Sequence, residues 1–230
     1  MPTLYLVATP IGNLSDITAR AIDVLQSVDV IYCEDTRTSG HLMQHFGIQK
    51  PLLPFHAHNE HARVADLINR LTSGQDVALI SDAGTPAISD PGFLAARAAH
   101  RGGFPVVGIP GASALVTALS ASGLPCDRFI FEGFLPQKKG RKTRLAFITH
   151  EERTVVFYES PFRILRLLEE LAELVGPHRY VAVCRELTKK FEEIIRGPLN
   201  DVQQAMKAKS NIKGEFVVIV AGVSYTEEDE

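Results

Sequence analysis

The chain has 230 residues, of which 45% are hydrophobic and 22% charged, and its formal net charge is −3. This is the composition of an ordinary globular protein, and the length fits one large domain or two of about 100 to 120 residues each. The small negative charge excludes a global attraction to nucleic acid, so such a role would require a local basic patch. No apolar run approaches the roughly 20 residues that span a bilayer.

The N-terminus and the cysteines predict a cytoplasmic protein. The run 4–7 is already strand-like and no basic segment precedes it, so we expect no signal peptide. Cys33, Cys126 and Cys184 are odd in number and far apart along the chain. This spacing argues against a disulfide framework or a zinc motif and is typical of a reducing compartment.

The first half of the chain alternates short apolar runs with helical patterns. The apolar runs predict buried strands over 4–7, 28–32, 77–80 and 106–109. The helical patterns lie near 18–26, 41–46, 60–71, 93–100 and 114–121. Asp90 followed by Pro91 predicts a helix start with Asp90 as the N-cap. The alternation is typical of a mostly parallel sheet with right-handed crossovers.

This rhythm breaks around 122–125, so we predict an N-terminal domain over 1–122 and a C-terminal domain over 123–230. The second half predicts strands over 129–131, 155–158, 180–184, 191–196 and 215–221. Its predicted helices lie near 141–150, 161–175 and 199–208. Nearly adjacent strands at 180–184 and 191–196 indicate a hairpin, and therefore a mixed or antiparallel sheet. The acidic end 226–230 predicts a disordered tail.

Three loops rich in glycine and proline follow predicted strands of the first half, at 9–14, 81–92 and 110–114. Ligands bind at the carboxyl edge of an open α/β sheet, so three such loops predict a ligand held mostly by main-chain groups. The loops lack the G-x-G-x-x-G and G-x-x-x-x-G-K-[ST] fingerprints of nucleotide-binding folds. The third loop opens a helix with small residues, whose free N–H groups favour an anionic group.

These loops and four further segments occur in the order found in one known family. The segments are Glu34-Asp35-Thr36-Arg37, Tyr158-Glu159-Ser160-Pro161-Phe162-Arg163, Arg185-Glu186-Leu187-Thr188-Lys189 and Lys213-Gly214-Glu215. Together with 9–18, 81–92 and Pro110-Gly111, they resemble the tetrapyrrole methylase-like methyltransferases over nearly the whole chain. Within that family the chain is similar to the ribosomal RNA branch, which methylates the 2′-hydroxyl of a cytidine in small-subunit (16S) rRNA. Phe162 departs from the pattern, which has a polar residue such as histidine there.

The resemblance implies a homodimer in which each chain has two α/β domains, with a mostly parallel N-terminal sheet and a mixed C-terminal sheet. It implies that S-adenosylmethionine binds in the cleft between the domains and that no metal or redox cofactor is needed. The first-domain residues implied to contact this donor are Pro10, Ile11, Gly12, Ser81, Asp82, Ala83, Gly84, Thr85, Pro110, Gly111, Ser113 and Ala114. Those implied in the second domain are Phe157, Tyr158, Phe216, Val217 and Val218. Relatives in this branch often carry a further basic helical segment after the second domain.

Several residues are candidates for the chemistry at a ribose hydroxyl, which needs orientation and loss of a proton. Glu34, Asp35 and Arg37 follow the second predicted strand, with a helix N-cap and surface ion pair as the alternative. Asp82 would either bind the donor or act as base. Glu159 is a further candidate, and an intrahelical salt bridge with Arg163 is its alternative. Lys189, with Glu192, lies near the hairpin, where solvated charges are the alternative.

The run 138–144 is the strong basic segment of this acidic chain, and it predicts contacts with RNA phosphates. Its basic residues are Lys138, Lys139, Arg141, Lys142 and Arg144, with Arg163 and Arg153 as possible extensions. A solvated helix start is the alternative. Phe134 could stack on an unpaired base.

His56, His58 and His61 have a spacing that could bind zinc, but no cysteine or carboxylate cluster supports a metal. Substrate contact, or a helix start capped by Asn59, fits the segment better. Two other functions stay open: a methylase acting on a tetrapyrrole or other small molecule, and a non-catalytic RNA-binding module.

Overall fold

A computed structural model describes residues 1–227 of the chain. The fold consists of two compact units, Met1–Ser113 and Ala114–Glu230. The predicted domain boundary after residue 122 lies one helix C-terminal to this division. Helix α5 (Ala114–Ala121) belongs to the second unit, where it contacts a strand. Among residues 1–227, no helix is long and apolar enough to cross a membrane.

The first unit is built on a parallel sheet. Its strands are β1 (Leu4–Val7), β2 (Val30–Cys33), β3 (Leu52–Pro54), β4 (Val77–Leu79) and β5 (Val106–Ile109). They lie in the order β3-β2-β4-β1-β5, and every described pairing is parallel, which confirms the predicted sheet. Strand β3 is missing from the prediction because it has only three residues, follows Pro51 and ends with Pro54. Proline is tolerated there because β3 is an edge strand.

Four helices cover the two faces of this sheet: α1 (Ala19–Ser27), α2 (Thr36–His45), α3 (Glu60–Thr72) and α4 (Phe93–Arg101). Side chains of α1 and α2 pack on one face and those of α3 and α4 on the other. Successive strand residues therefore point into different cores, as Ile31 and Tyr32 do. Burial on both faces explains why these strands are continuous apolar runs.

The start of α4 differs from the prediction, and the assignment of Asp90 as its N-cap is wrong. The helix begins at Phe93, and Gly92 occupies the N-cap position with φ of 140°. This backbone conformation suits glycine, which has no capping side chain. The Glu60 carboxylate supplies the cap instead, since its Oε1 accepts from the N–H groups of Gly92 (3.1 Å) and Leu94 (3.3 Å).

The second unit is built on a mixed sheet. Its strands are β6 (Phe129–Phe134), β7 (Thr154–Glu159), β8 (Tyr180–Arg185), β9 (Glu193–Pro198) and β10 (Phe216–Val220), in the order β6-β7-β10-β8-β9. Strands β6 and β7 are parallel and the other pairings are antiparallel, which confirms the mixed sheet and the predicted hairpin of β8 and β9. Helices α6 (Arg141–Ala146), α7 (Ile164–Val175) and α8 (Leu199–Lys207) contribute to one core cluster with these strands.

The acidic end is described as far as Glu227, whose carboxylate forms an ion pair with Arg196 at 2.7 Å. The remainder of the predicted disordered tail, residues 228–230, lies outside the described residues.

The cap on α4 predicts a measurable loss of stability on substitution. Glu60→Ala should lower the free energy of unfolding by about 1 kcal/mol, because two N–H groups at the start of α4 lose their acceptor. Glu60→Gln, which keeps an amide oxygen, should lose less. Urea unfolding followed by circular dichroism measures the difference. Glu173→Ala, at an exposed position of α7, is the control, and an equal loss in that variant would contradict the cap.

Candidate functional site

The three predicted loops meet at the carboxyl edge of the first sheet, two of them through main-chain hydrogen bonds. The Thr9 N–H donates to the Gly84 carbonyl at 2.9 Å, and the Gly84 N–H donates to the Thr9 carbonyl at 3.0 Å. The Thr9 hydroxyl also donates to the Ser81 carbonyl at 3.1 Å. The loops 9–14 and 81–92 are therefore joined directly.

The third loop contacts the other two at positions where little space is left. The Thr85 hydroxyl donates to the Ala112 carbonyl at 3.4 Å. A Cβ atom at Gly111 would lie 3.0 Å from the Cβ of Ala8, and one at Gly84 would lie 3.4 Å from the Cγ2 of Ile11. Gly111 is nevertheless exposed. The backbone at Gly111 is thus packed against Ala8 on one side and exposed on the other.

The 81–92 loop contains backbone strain. Ala87 and Ser89 have φ of 70° and 64°, in the left-handed region that non-glycine residues rarely occupy. The Ala87 N–H donates to the Pro91 carbonyl at 3.1 Å. Such conformations are often retained at ligand sites, where the surrounding structure holds them.

Carboxylates gather at the same edge. The Oδ1 of Asp82 accepts from the N–H of Asp35 at 3.0 Å, so the second strand's loop is tied to 81–92. Burial raises the pKa of Glu34 above its usual value, and the charges of Asp90 and Asp82 raise it further. Burial also raises the pKa of Asp90, with Asp82 adding to the rise and a hydrogen bond with Ser81 opposing it. Asp90, predicted as a helix cap, is thus a member of the acidic edge, a placement that its sequence context did not show.

Asp35 and Arg37 fit the alternative of a helix cap with a surface ion pair. The Asp35 carboxylate accepts from the Arg37 N–H at 2.8 Å and pairs with the Arg37 guanidinium at 2.7 Å. Hydrogen bonds from Arg37 lower the pKa of Asp35 to about 2. A carboxylate with so low a pKa is a weak base.

A second set of motif residues meets at one end of the second sheet. Phe216, the first residue of β10, lies opposite Glu159 at the end of β7 and opposite Arg185 at the end of β8. This register brings the segments 158–163, 185–189 and 213–215 to the same end. Phe162 projects from it with its side chain 95% exposed.

Lys189 is held by two carboxylates in this end of the sheet. Its ammonium donates to Glu215 at 2.9 Å and to Glu186 at 3.1 Å. Burial works against the charged form, yet these hydrogen bonds raise the pKa of Lys189, so the side chain stays protonated. Glu186 has φ of 52°, and a Cβ atom at Gly214 would collide with its side chain. Gly214 itself has φ of 98°, so its backbone conformation and the close approach of Glu186 both favour glycine there.

Glu159 lies in a buried ionic cluster. It is the last residue of β7, so its pair with Arg163, at 2.7 Å, is not intrahelical as predicted. The strand's alternation places it on the same face as Phe157, which the helices cover. Arg141 approaches it at 3.6 Å and binds Glu170 at 2.6 Å.

The prediction that Arg141 binds RNA is wrong, because its side chain is 2% exposed. Arg141 and Leu145 are one turn apart on the buried face of α6, and this helical spacing turns one residue of the basic run inward. Arg144 is exposed and pairs with Glu132 at 2.6 Å, and Arg163 is engaged by Glu159. The exposed remainder of the basic run consists of Lys138, Lys139 and Lys142. Phe134 is exposed, and its ring makes an edge contact with the ring of Tyr158.

The second-unit residues implied to contact the donor are mostly core residues. Phe157, Phe216 and Val218 pack in the core cluster under the helices. Val217 is also buried. The Tyr158 hydroxyl accepts from the Leu115 N–H at 3.1 Å. Their predicted contacts with the donor stay predictions.

The histidine segment has local contacts. Asn59 accepts from the His56 N–H at 2.8 Å and donates to the Pro54 carbonyl at 3.2 Å. It stands at the N-cap position of α3, but its side chain holds the preceding loop instead of capping the helix. In the described part of the chain, no group of three or more histidine, cysteine, aspartate or glutamate side chains is arranged to hold a metal ion.

The two sheets and the glycine-rich edge define a class of methylase. The sequence profile of the Tetrapyrrole (Corrin/Porphyrin) Methylases matches residues 3–203, and the chain belongs to this family. The crystal structure of uroporphyrin-III C-methyltransferase from Thermus thermophilus, complexed with S-adenyl homocysteine, has the same fold. It superposes with a TM-score of 0.64 and 18% identity, covering 96% of this chain and 98% of that one.

Within the family, the chain is similar to proteins named Ribosomal RNA small subunit methyltransferase I. It is 52% identical to the one from Xylella fastidiosa (strain Temecula1) over 96% of this chain and 82% of the relative. It is 51% identical to the one from Escherichia coli O157:H7 over 98% of this chain and 80% of the relative. The resemblance stated from the sequence is thereby confirmed for both the family and its ribosomal RNA branch.

The buried cluster yields a prediction that also tests the role of Arg141. Arg141→Met should lower the free energy of unfolding by about 1.5 to 3 kcal/mol, because Glu170 loses a buried charged hydrogen bond while Glu159 and Glu170 keep Arg163 and Arg166 as partners. Arg144→Met, which removes a pair whose arginine is exposed, should cost less, about 1 kcal/mol. Urea unfolding of the full chain measures both.

The double variant Arg141→Met, Glu170→Gln should recover part of the loss, since the charge that has lost its buried partner is neutralised and only the exposed Arg166 loses its pair. Equal stability of the Arg141→Met and Arg144→Met variants would show that the cluster contributes no more than a surface pair.

Proposed function

We propose that this protein transfers a methyl group from S-adenosylmethionine to the ribose 2′-hydroxyl of a cytidine in 16S rRNA of the small ribosomal subunit. The observation that carries the proposal is the identity of 51–52%, over nearly the whole chain, to proteins named Ribosomal RNA small subunit methyltransferase I. The exposed lysines at 138, 139 and 142 support an RNA acceptor, since the chain is acidic overall.

The joined loops fit the methyl donor. A ligand that approaches Gly111 meets exposed backbone, and the missing side chain is what lets this backbone pack against Ala8 on its other side. The exposed residues Gly12, Asp82 and Ala83 lie at the same edge. These residues would hold the donor by backbone contacts, with Pro10, Ile11, Ser81, Thr85, Pro110 and Ser113 around them. When bound, S-adenosylmethionine supplies a methyl group on a positively charged sulfur.

The protein's own contribution is to orient the acceptor hydroxyl and to accept its proton. Glu34 is the best base among the candidates, because burial and the neighbouring Asp82 and Asp90 raise its pKa. Asp35 is too weak a base, and Lys189 is held in its protonated form. Asp82 accepts from the Asp35 N–H, so it positions the loop that carries Glu34.

By the same family resemblance, we infer a cytoplasmic homodimer. Sedimentation of the purified chain tests the dimer.

Two experiments separate this proposal from its alternatives. Tritium from labelled donor should appear in the rRNA of 30S particles that lack the modification, and label in a tetrapyrrole instead would favour the small-molecule methylase. Calorimetry should detect donor binding, whereas a non-catalytic RNA-binding module would bind RNA and no donor.

Donor binding should depend on the open backbone at residue 111. Gly111→Val should weaken the affinity for S-adenosylmethionine at least tenfold, because the new side chain meets Ala8 and displaces the third loop. Gly108→Val is a matched control in strand β5, since a Cβ atom there meets no atom within 4 Å. Calorimetry measures both variants, and equal affinities would remove this loop from the donor site.

The assignment of Glu34 as base predicts a change in the pH profile. Its pKa is raised, so activity should fall as the pH drops through that raised value and the carboxylate becomes protonated. Glu34→Gln should lower kcat by about 10² to 10⁴-fold and abolish this acidic limb. Glu169→Gln, at an exposed ion pair with Lys207, serves as control. Full activity of Glu34→Gln with an unchanged profile would exclude Glu34 as base.

A further inference from the structure

Helix α4 presents a mixed aromatic and basic stripe on its outer side. Its exposed residues are Phe93, Arg97, His100 and Arg101, at positions i, i+4, i+7 and i+8 of the helix. This spacing places them on one face. The opposite face, with Ala95 and Ala99, packs against the sheet of the first unit. The helix contains no acidic residue.

The two arginines of this stripe have no carboxylate partner. Among residues 1–227, neither Arg97 nor Arg101 forms an ion pair within 4.0 Å. The Arg97 guanidinium instead lies 5.1 Å from the centre of the Phe93 ring. The two carboxylates of the packing helix α3 are occupied, since Glu60 caps α4 and Asp66 pairs with arginines of α3. The stripe therefore carries uncompensated positive charge.

Grooves run along both sides of the stripe. A shallow, open groove of about 470 Å³ is lined by Phe93, Ala96, Arg97, His100 and Arg101. A second groove of about 220 Å³ separates α4 from α3, and its lining includes His61 and the same two arginines. Phe93 is 60% exposed, although burial of a phenylalanine side chain is energetically favourable.

The stripe begins where a proposed donor loop ends. Phe93 directly follows the 81–92 loop, and the Glu60 carboxylate fixes this junction. From Phe93 to Arg101 the helix rises about 12 Å. A strand bound along the stripe would thus lead toward the edge that holds Glu34 and Asp82.

We propose that this face of α4 binds the RNA substrate, with Arg97 and Arg101 contacting phosphates and Phe93 stacking on an unpaired base. Guanidinium groups suit phosphate oxygens, and exposed aromatic rings suit splayed bases. The inference rests on the proposed function and adds a substrate-binding surface in the first unit, apart from the lysines at 138–142. RNA fits this face better than a second copy of the chain, because another copy would have to supply carboxylates to two unpaired arginines.

The test compares the binding of a 16S rRNA fragment at several salt concentrations. The double variant Arg97→Ala/Arg101→Ala should weaken binding by an order of magnitude or more. The fall of log K with log salt should also become less steep by about 2. Phe93→Ala should weaken binding about fivefold or more, with a smaller change in slope, and Phe93→Leu should do the same because it also lacks an aromatic face. Donor affinity, measured by calorimetry, should stay unchanged in all three.

Lys207→Ala is the charge control, because Lys207 is exposed but already paired with Glu169. It should leave the salt slope unchanged. An unchanged slope in the double arginine variant, with a wild-type protein that binds and methylates rRNA, would overturn this inference alone. Loss of self-association in that variant without loss of RNA affinity would also overturn it and identify the face as an interface between copies. Failure of the wild-type protein to modify rRNA would instead count against the proposed function.

Discussion

The parallel pairing of β1 with β4 on one side and β5 on the other is the constraint on which the first unit depends. Leu6 lies opposite both Leu79 and Gly108, so the three strands end at nearly the same level. The loops that follow them must then emerge side by side. The exchange of two main-chain hydrogen bonds between Thr9 and Gly84 completes the arrangement. Gly84 allows this approach through its φ of 80°, and Gly111 does so because a side chain there would meet Ala8.

The second unit gathers its motif residues in another way. Its central strand β10 is antiparallel to both neighbours, so the start of β10 meets the ends of β7 and β8. Two ionic groups lie at this end: the partly buried trio around Lys189 and the buried cluster around Glu159. A buried ion pair gives little net stability but is costly to break, since one charge is then left uncompensated. These groups therefore specify loop positions more than they add stability.

The distribution of positive charge shows why a basic run is an incomplete guide to an RNA surface. Five basic residues at 138–144 appear equivalent in the sequence, yet Arg141 is buried against two glutamates. The arginines of α4 are separated by Ala98, Ala99 and His100 and form no run. They become neighbours only because the helix brings positions i and i+4 to one face. Net phosphate attraction depends on which cations lack a carboxylate partner, and the fold decides this.

The sequence by itself determined the class of fold, the family and most of the elements. Continuous apolar runs predicted β1, β4 and β5, since strands buried on both faces need such runs. The ordered motifs identified the family, which the profile over residues 3–203 confirmed. Strand β3 was not predicted because prolines interrupt its apolar pattern. Helix α2 begins earlier than predicted because Asp35 caps it.

Only the tertiary structure decided which polar residues are partners. Glu60 caps a helix 32 residues away, Asp90 joins the carboxylates beside Glu34, and Glu159 lies beneath two arginines. Each of these roles depends on distance and burial between segments that are remote in the chain. Local propensity and spacing report on the backbone of a segment, whereas the ionisation and accessibility of a side chain depend on its neighbours in space.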